Sequence, residues 1–133
     1  MIETTQQYFA QQKDVLCVYL FGSFASGKTH QESDVDLAVL FTNDVPREEY
    51  SHRSLQSVDD LSRMLDKEVD VVALNSADSF LKFQILKNGL RIYERQDRNG
   101  RDFEARAMME YFDFLPVRRR LEEAFVRHIN EGV

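Results

Sequence analysis

The sequence predicts an α/β domain with a helical C-terminal tail, and three observations carry that prediction. Two runs, Val15 to Phe21 and Asp34 to Phe41, are apolar at nearly every position over their inner parts, the pattern of internal strands covered on both faces. Segments with helical spacing alternate with these and with two shorter strand patterns. From about residue 95 onward only helical spacing remains.

The elements follow in order. Residues 3–13 read as a short amphipathic helix with Tyr8 and Phe9 turned to the core. The strand Val15 to Phe21 stops at Gly22-Ser23, where a helical turn over Ser23–Ala25 is expected, and Gly27 follows closely. After the strand Asp34 to Phe41, Asn43 or Asp44 is expected to cap a helix with Pro46 in its first turn. That helix runs to about Leu65 and sets Tyr50, Val58, Leu61 and Leu65 on one stripe. Val69 to Leu74 makes a third strand. Ser76 or Asp78 caps the next helix, which carries Phe80, Leu81, Phe83, Ile85 and Leu86 and stops at Asn88-Gly89. Leu90 to Tyr93 is a short last strand, and Pro116 is expected to interrupt the C-terminal helices. No internal repeat and no low-complexity segment is present.

At 133 residues the chain has the size of one domain, large enough to hold a core without disulfides. Seventeen Lys and Arg face 23 Asp and Glu, so the formal charge of −6 argues against a protein that lives on non-specific contact with nucleic-acid phosphates. The lone Cys17 forms no intrachain disulfide, and His30, His52 and His128 show no zinc spacing. No leader pattern and no membrane-length apolar run is visible, so a soluble, cytoplasmic chain is expected. The charge is uneven: residues 30–79 hold twelve acids against four bases, a net of −8. Solvated helix faces account for Glu48, Glu49, Asp59, Asp60 and Asp66. They do not account for acids on strands.

Three carboxylates fall on strands. Asp34 and Asp36 are two apart and project from one face, while Asp70 opens the third strand between Val69 and Val71. Each alone also fits a strand-end cap or a solvated edge. Two like charges on one face repel, and a divalent cation removes that penalty; Mg²⁺ suits few carboxylates plus water and phosphate oxygens. Gly22 lets backbone approach a ligand closely, and a turn opening at Ser23 would offer free N–H groups to phosphate. No P-loop pattern is present.

Gly22-Ser23, ten residues, Asp34-Val35-Asp36 and then Asp70 resembles the signature of the polymerase-β-like nucleotidyltransferases, Gly-Ser-x10-Asp-x-Asp with a further strand acid. The resemblance runs from about Val15 to Tyr93. It implies a small mixed sheet flanked by helices, with residues 1–95 as the nucleotidyltransferase core and 96–133 as a helical tail of the same single domain. It implies that Gly22 and Ser23 hold the triphosphate, that Asp34, Asp36 and Asp70 bind two Mg²⁺ ions, and that Asp70 also accepts the attacking hydroxyl's proton. Lys28, Glu32 and Ser33 take no assigned role.

A minimal core with a short helical tail looks most like the minimal nucleotidyltransferase antitoxins of HEPN/MNT toxin–antitoxin modules (MntA-type, type VII-like). That likeness implies an enzyme moving AMP from ATP to a tyrosine hydroxyl of a cognate HEPN RNase toxin of the HepT type, in a hetero-oligomer, with no direct nucleic-acid or membrane partner. Alternatives are an aminoglycoside-type small-molecule nucleotidyltransferase, or an antitoxin that blocks its toxin sterically. The tail residues Phe103, Met108, Met109, Tyr111, Phe112, Phe114 and Leu115 offer apolar surface either to the sheet or to a partner. Arg118-Arg119-Arg120 reads as a solvated helix segment.

Overall fold

The computed structural model describes residues 1–22, 35–95 and 100–131. Helix α1 (Ile2–Ala10) precedes β1 (Val15–Phe21) and β2 (Val35–Phe41); α2 (Tyr50–Leu65), β3 (Val69–Ala73), α3 (Ser79–Asn88), β4 (Leu90–Glu94) and α4 (Gly100–Glu131) follow. The four strands form one mixed sheet in the order β3-β2-β1-β4. β1 is antiparallel to β2 and to β4, whereas β2 and β3 run parallel, joined by the crossover through α2. The two apolar runs are the two inner strands, as their pattern requires.

Each sheet face has its own core. On one, Val18, Leu20, Val35, Leu37, Val39, Val69 and Val71 pack with Phe9 of α1 and Leu61 of α2. Tyr50, Val58 and Leu65 join from the expected α2 stripe. On the other face Cys17, Tyr19, Ala38 and Leu40 meet Leu74 and Ile85, with Leu81 and Leu86 of α3 and Phe103 of α4 against them. Burial keeps the Cys17 thiol protonated, its pKa pushed up to about 11.

The start of α2 differs from expectation. Pro46, extended at φ −62°, opens a 3-10 turn over Arg47–Glu49, and α2 begins at Tyr50 with no side-chain cap. Pro46 supplies the entry by its fixed φ, so neither Asn43 nor Asp44 is needed. At α3 the expected cap is present: the Asp78 carboxylate accepts from the Leu81 N–H at 2.8 Å.

The C-terminal segment corrects a second expectation. Pro116 does not interrupt it, and α4 runs unbroken for 32 residues with the proline inside. Proline removes one helical N–H and crowds the turn before it. Here that turn is lightly covered: Phe114 and Leu115 are exposed and Phe112 meets only the edge of Phe83 on α3, which leaves the backbone room to adjust around the proline.

The first part of α4 is anchored. Tyr111 stacks on Phe83 of α3 with centroids 4.0 Å apart, and Ala107 is buried. Glu104 accepts from the Tyr19 hydroxyl at 2.5 Å and from Arg91 at 2.9 Å, tying the helix to β1 and β4. Beyond Tyr111 the helix leaves the sheet, and Phe112, Val117, Leu121, Phe125, Val126 and Ile129 stand exposed. Among the described residues no helix is long and apolar enough to cross a membrane.

Candidate functional site

The site is built where β1 ends and β2 and β3 begin. Val35 and Leu37 alternate with Asp36, and Val69 and Val71 with Asp70, so the four apolar side chains are buried on the α1/α2 face. Anchoring those fixes the acids on the other face. The parallel register places Asp36 directly opposite Asp70, and β strands lie about 4.8 Å apart. Two carboxylates are thereby held side by side, Asp36 half-buried and Asp70 exposed. The pairing places their charges in mutual repulsion that a divalent cation relieves.

On the other side of Asp36 lies β1, with Phe21 as its register partner. The next residue, Gly22, has φ +75°, a left-handed conformation that side chains disfavour. A Cβ there would overlap the Asp36 carboxylate and stand 3.2 Å from its Cγ. Gly22 is thus required twice, by its backbone angle and by the acid packed against it. The backbone leaves β1 at the edge of the carboxylate pair.

A cavity of about 310 Å³ adjoins this turn, lined by Phe21, Gly22, Leu81, Gln84, Ile85 and Asn88. Gln84 and Asn88 share one face of α3, and the Asn88 amide donates to Gln84 Oε1 at 3.0 Å. In the sequence Asn88 reads as the helix stop and Gln84 takes no role, so the pairing of the two is not anticipated. Its i, i+4 separation was the available signal.

The structure therefore brings together Gly22, Asp36 and Asp70, three of the five residues singled out from the sequence. Ser23 and Asp34 lie outside the described residues, as do the turn expected at Ser23–Ala25, Gly27, Lys28, Glu32 and Ser33. Among the described residues no group of three metal-type side chains gathers. What is present is a carboxylate pair, a donor set that suits a hard divalent cation holding phosphate oxygens.

Known proteins share this fold. The family described as "Polymerase beta, Nucleotidyltransferase" matches residues 3–98. The protein adenylyltransferase MntA of Shewanella oneidensis is 34% identical over 82 residues, covering 59% of this chain and 54% of the relative. The chain thus spans about half the length of that curated relative. A solved toxin–antitoxin structure with AMP-PNP superimposes with a TM-score of 0.79 at 23% identity, covering 94% of this chain and 98% of that one. The tri-AMPylated Shewanella oneidensis HEPN toxin in complex with MNT antitoxin gives a TM-score of 0.69 at 21% identity, covering 95% and 99%. At those identities the two structures establish the fold. With the family match spanning most of its length, the chain belongs to the polymerase beta nucleotidyltransferase family.

Proposed function

We propose that this chain is the antitoxin of a toxin–antitoxin pair, a protein adenylyltransferase that moves AMP from ATP to a tyrosine hydroxyl of a HEPN RNase toxin and so silences it. The observation that carries the reading is the Asp36–Asp70 pair, set side by side by the β2–β3 register and abutted by the Gly22 turn. The 34% identity to MntA, a protein adenylyltransferase, supports a protein acceptor, and the fold shared with toxin–antitoxin complexes is consistent with it.

In this reading Gly22 and Ser23 seat the triphosphate, and Asp34, Asp36 and Asp70 hold two Mg²⁺ ions. Bound there, the ions neutralise the phosphates and the carboxylates together and draw electron density from the α-phosphorus. Asp70 takes the proton of the tyrosine hydroxyl as its oxygen bonds to that phosphorus. The bond from the α-phosphorus to the bridging oxygen breaks, and pyrophosphate leaves in line with the attack. The bared stripe of α4 beyond Tyr111 supplies the surface that grips the toxin, residues 96–133 serving as a docking tail on the core of residues 1–95. The same reading puts the pair in the cytoplasm, with ATP at hand.

The test is direct. The protein, ATP and Mg²⁺ are incubated with a candidate HEPN RNase partner, and the partner's mass and tryptic peptides are read. The expected result is the mass of one or more AMP groups on tyrosine and loss of the partner's RNase activity. A folded partner that gains no AMP overturns the proposal.

A further inference from the structure

Strand β3 stands at one edge of the sheet. The Val35 N–H donates to the Glu68 carbonyl at 2.8 Å, which sets the phase of the parallel ladder. Glu68, Asp70 and Val72 turn their peptide groups toward β2. Val69, Val71 and Ala73 turn theirs outward, and among the described residues no strand lies beyond them. An edge of this kind is a template for an extended chain.

A groove of about 480 Å³ runs along that edge, with Tyr50, Ser54 and Leu55 of α2 on one side and Val71, Ala73 and Leu81 on the other. Leu55 lies 68% exposed at its rim. Ser54 is only 8% exposed, and its Oγ is buried with no hydrogen-bond partner. Buried hydroxyls are ordinarily paired, so this one marks a place where a further donor or acceptor belongs.

We infer that the β3 edge is where the acceptor protein presents its tyrosine: an extended acceptor segment adds beside β3, its backbone paired with Val71 and Ala73. The inference rests on the transfer reading above. Asp70 belongs to the same edge strand, directly before the groove-lining run Val71–Ala73, and is exposed, so a chain added along this edge passes beside the candidate catalytic pair. A strand added about 4.8 Å away places every second side chain on Asp70's face of the sheet. A tyrosine there extends its ring over Asp70 toward Asp36, one strand further in. The alternating peptide groups of an edge call for a polypeptide backbone. The net charge of −8 over residues 30–79 disfavours a polyanionic chain in the same groove.

Two measurements test this. Ala73 has φ −82°, within reach of a proline ring, and its N–H points outward, so Ala73→Pro removes one edge donor and leaves the β2 ladder intact. The expected outcome is a rise of about tenfold in KM for the acceptor protein, with KM for ATP and the melting temperature as in the wild type. In the second, Asp36→Asn is mixed with the acceptor and ATP, and hydrogen exchange is followed residue by residue. The Val71 and Ala73 amides are expected to slow, while Val72, already paired to β2, changes little.

Wild-type KM in Ala73→Pro, or a bound acceptor that leaves Val71 and Ala73 exchanging as before, overturns the edge and spares the transfer reading. Absence of transfer by the wild type overturns both. Slowing that grows with this chain's own concentration, without acceptor, assigns the edge to a second copy and also overturns the inference.

Discussion

The two ends of β2 are built to opposite rules. At its beginning Asp36 lies beside Asp70, like charge against like, with a glycine where a side chain would collide. At its end the polar groups are closed. The Asn75 side chain accepts from the Phe41 N–H at 2.8 Å and donates to the Phe41 carbonyl at 3.0 Å, standing in for a strand partner after β3 has stopped. Tyr50 stacks on the Phe41 ring, and the Arg53 guanidinium lies over it while gripping Asp14 at 2.6 and 2.7 Å. One strand thus carries a satisfied end that holds the fold and a charged end held in place by it. Substitutions at the first should change stability and spare the rate; those at the second should do the reverse.

The sharpest test is Asp70→Asn. It keeps the shape of the side chain and removes both the charge and the base. AMP transfer is expected to fall about 10²–10⁴-fold, with the melting temperature held or raised because the repulsion with Asp36 is gone. A rate within a few fold of wild type would break the comparison.

At the other end, Asn75→Ala leaves the Phe41 N–H and carbonyl without their side-chain partner. A loss of about 1–3 kcal/mol is expected from urea unfolding, with transfer per folded molecule unchanged.

The smallest effect is in Asp14. The Arg53 guanidinium hydrogen-bonded to it holds its carboxyl below the ordinary value of 3.8. A folded-state pKa below the unfolded one contributes stability above about pH 3.8 that is lost as pH falls through the depressed value. Asp14→Asn should cost about 1 kcal/mol at pH 7, and the gap between the variant's and the wild type's urea midpoints should close as pH approaches 3. A gap that is constant with pH would show that the pair acts through packing alone.

Much of this was legible in advance, for reasons that differ between residues. β1 and β2 could be read because an inner strand covered on both faces leaves a continuous apolar run. Asp36 and Asp70 stood out because acids beside buried valines are costly unless a cation or solvent relieves them. Their adjacency follows from the family resemblance and not from spacing, since 33 residues and a helix lie between them and only the register joins them. Gly22 was read as a close-approach residue, but its positive φ and its contact with Asp36 exist only in three dimensions. Pro116 reads as a break because local sequence does not reveal that its turn is only lightly covered. Ser54 carries no signal of its own in the sequence, and its burial beside an edge strand depends on how α2 lies on the sheet.

The α2 crossover also orders events in time. A ribosome that has released β1 and β2 has made a hairpin bearing Asp36 and lacking its neighbour. Asp70 arrives only after a 16-residue helix has been made and folded back. Asp36 and Asp70 therefore meet only once α2 has folded back and β3 has joined the sheet. Anything that grips both carboxylates can act only on a chain made at least as far as Ala73.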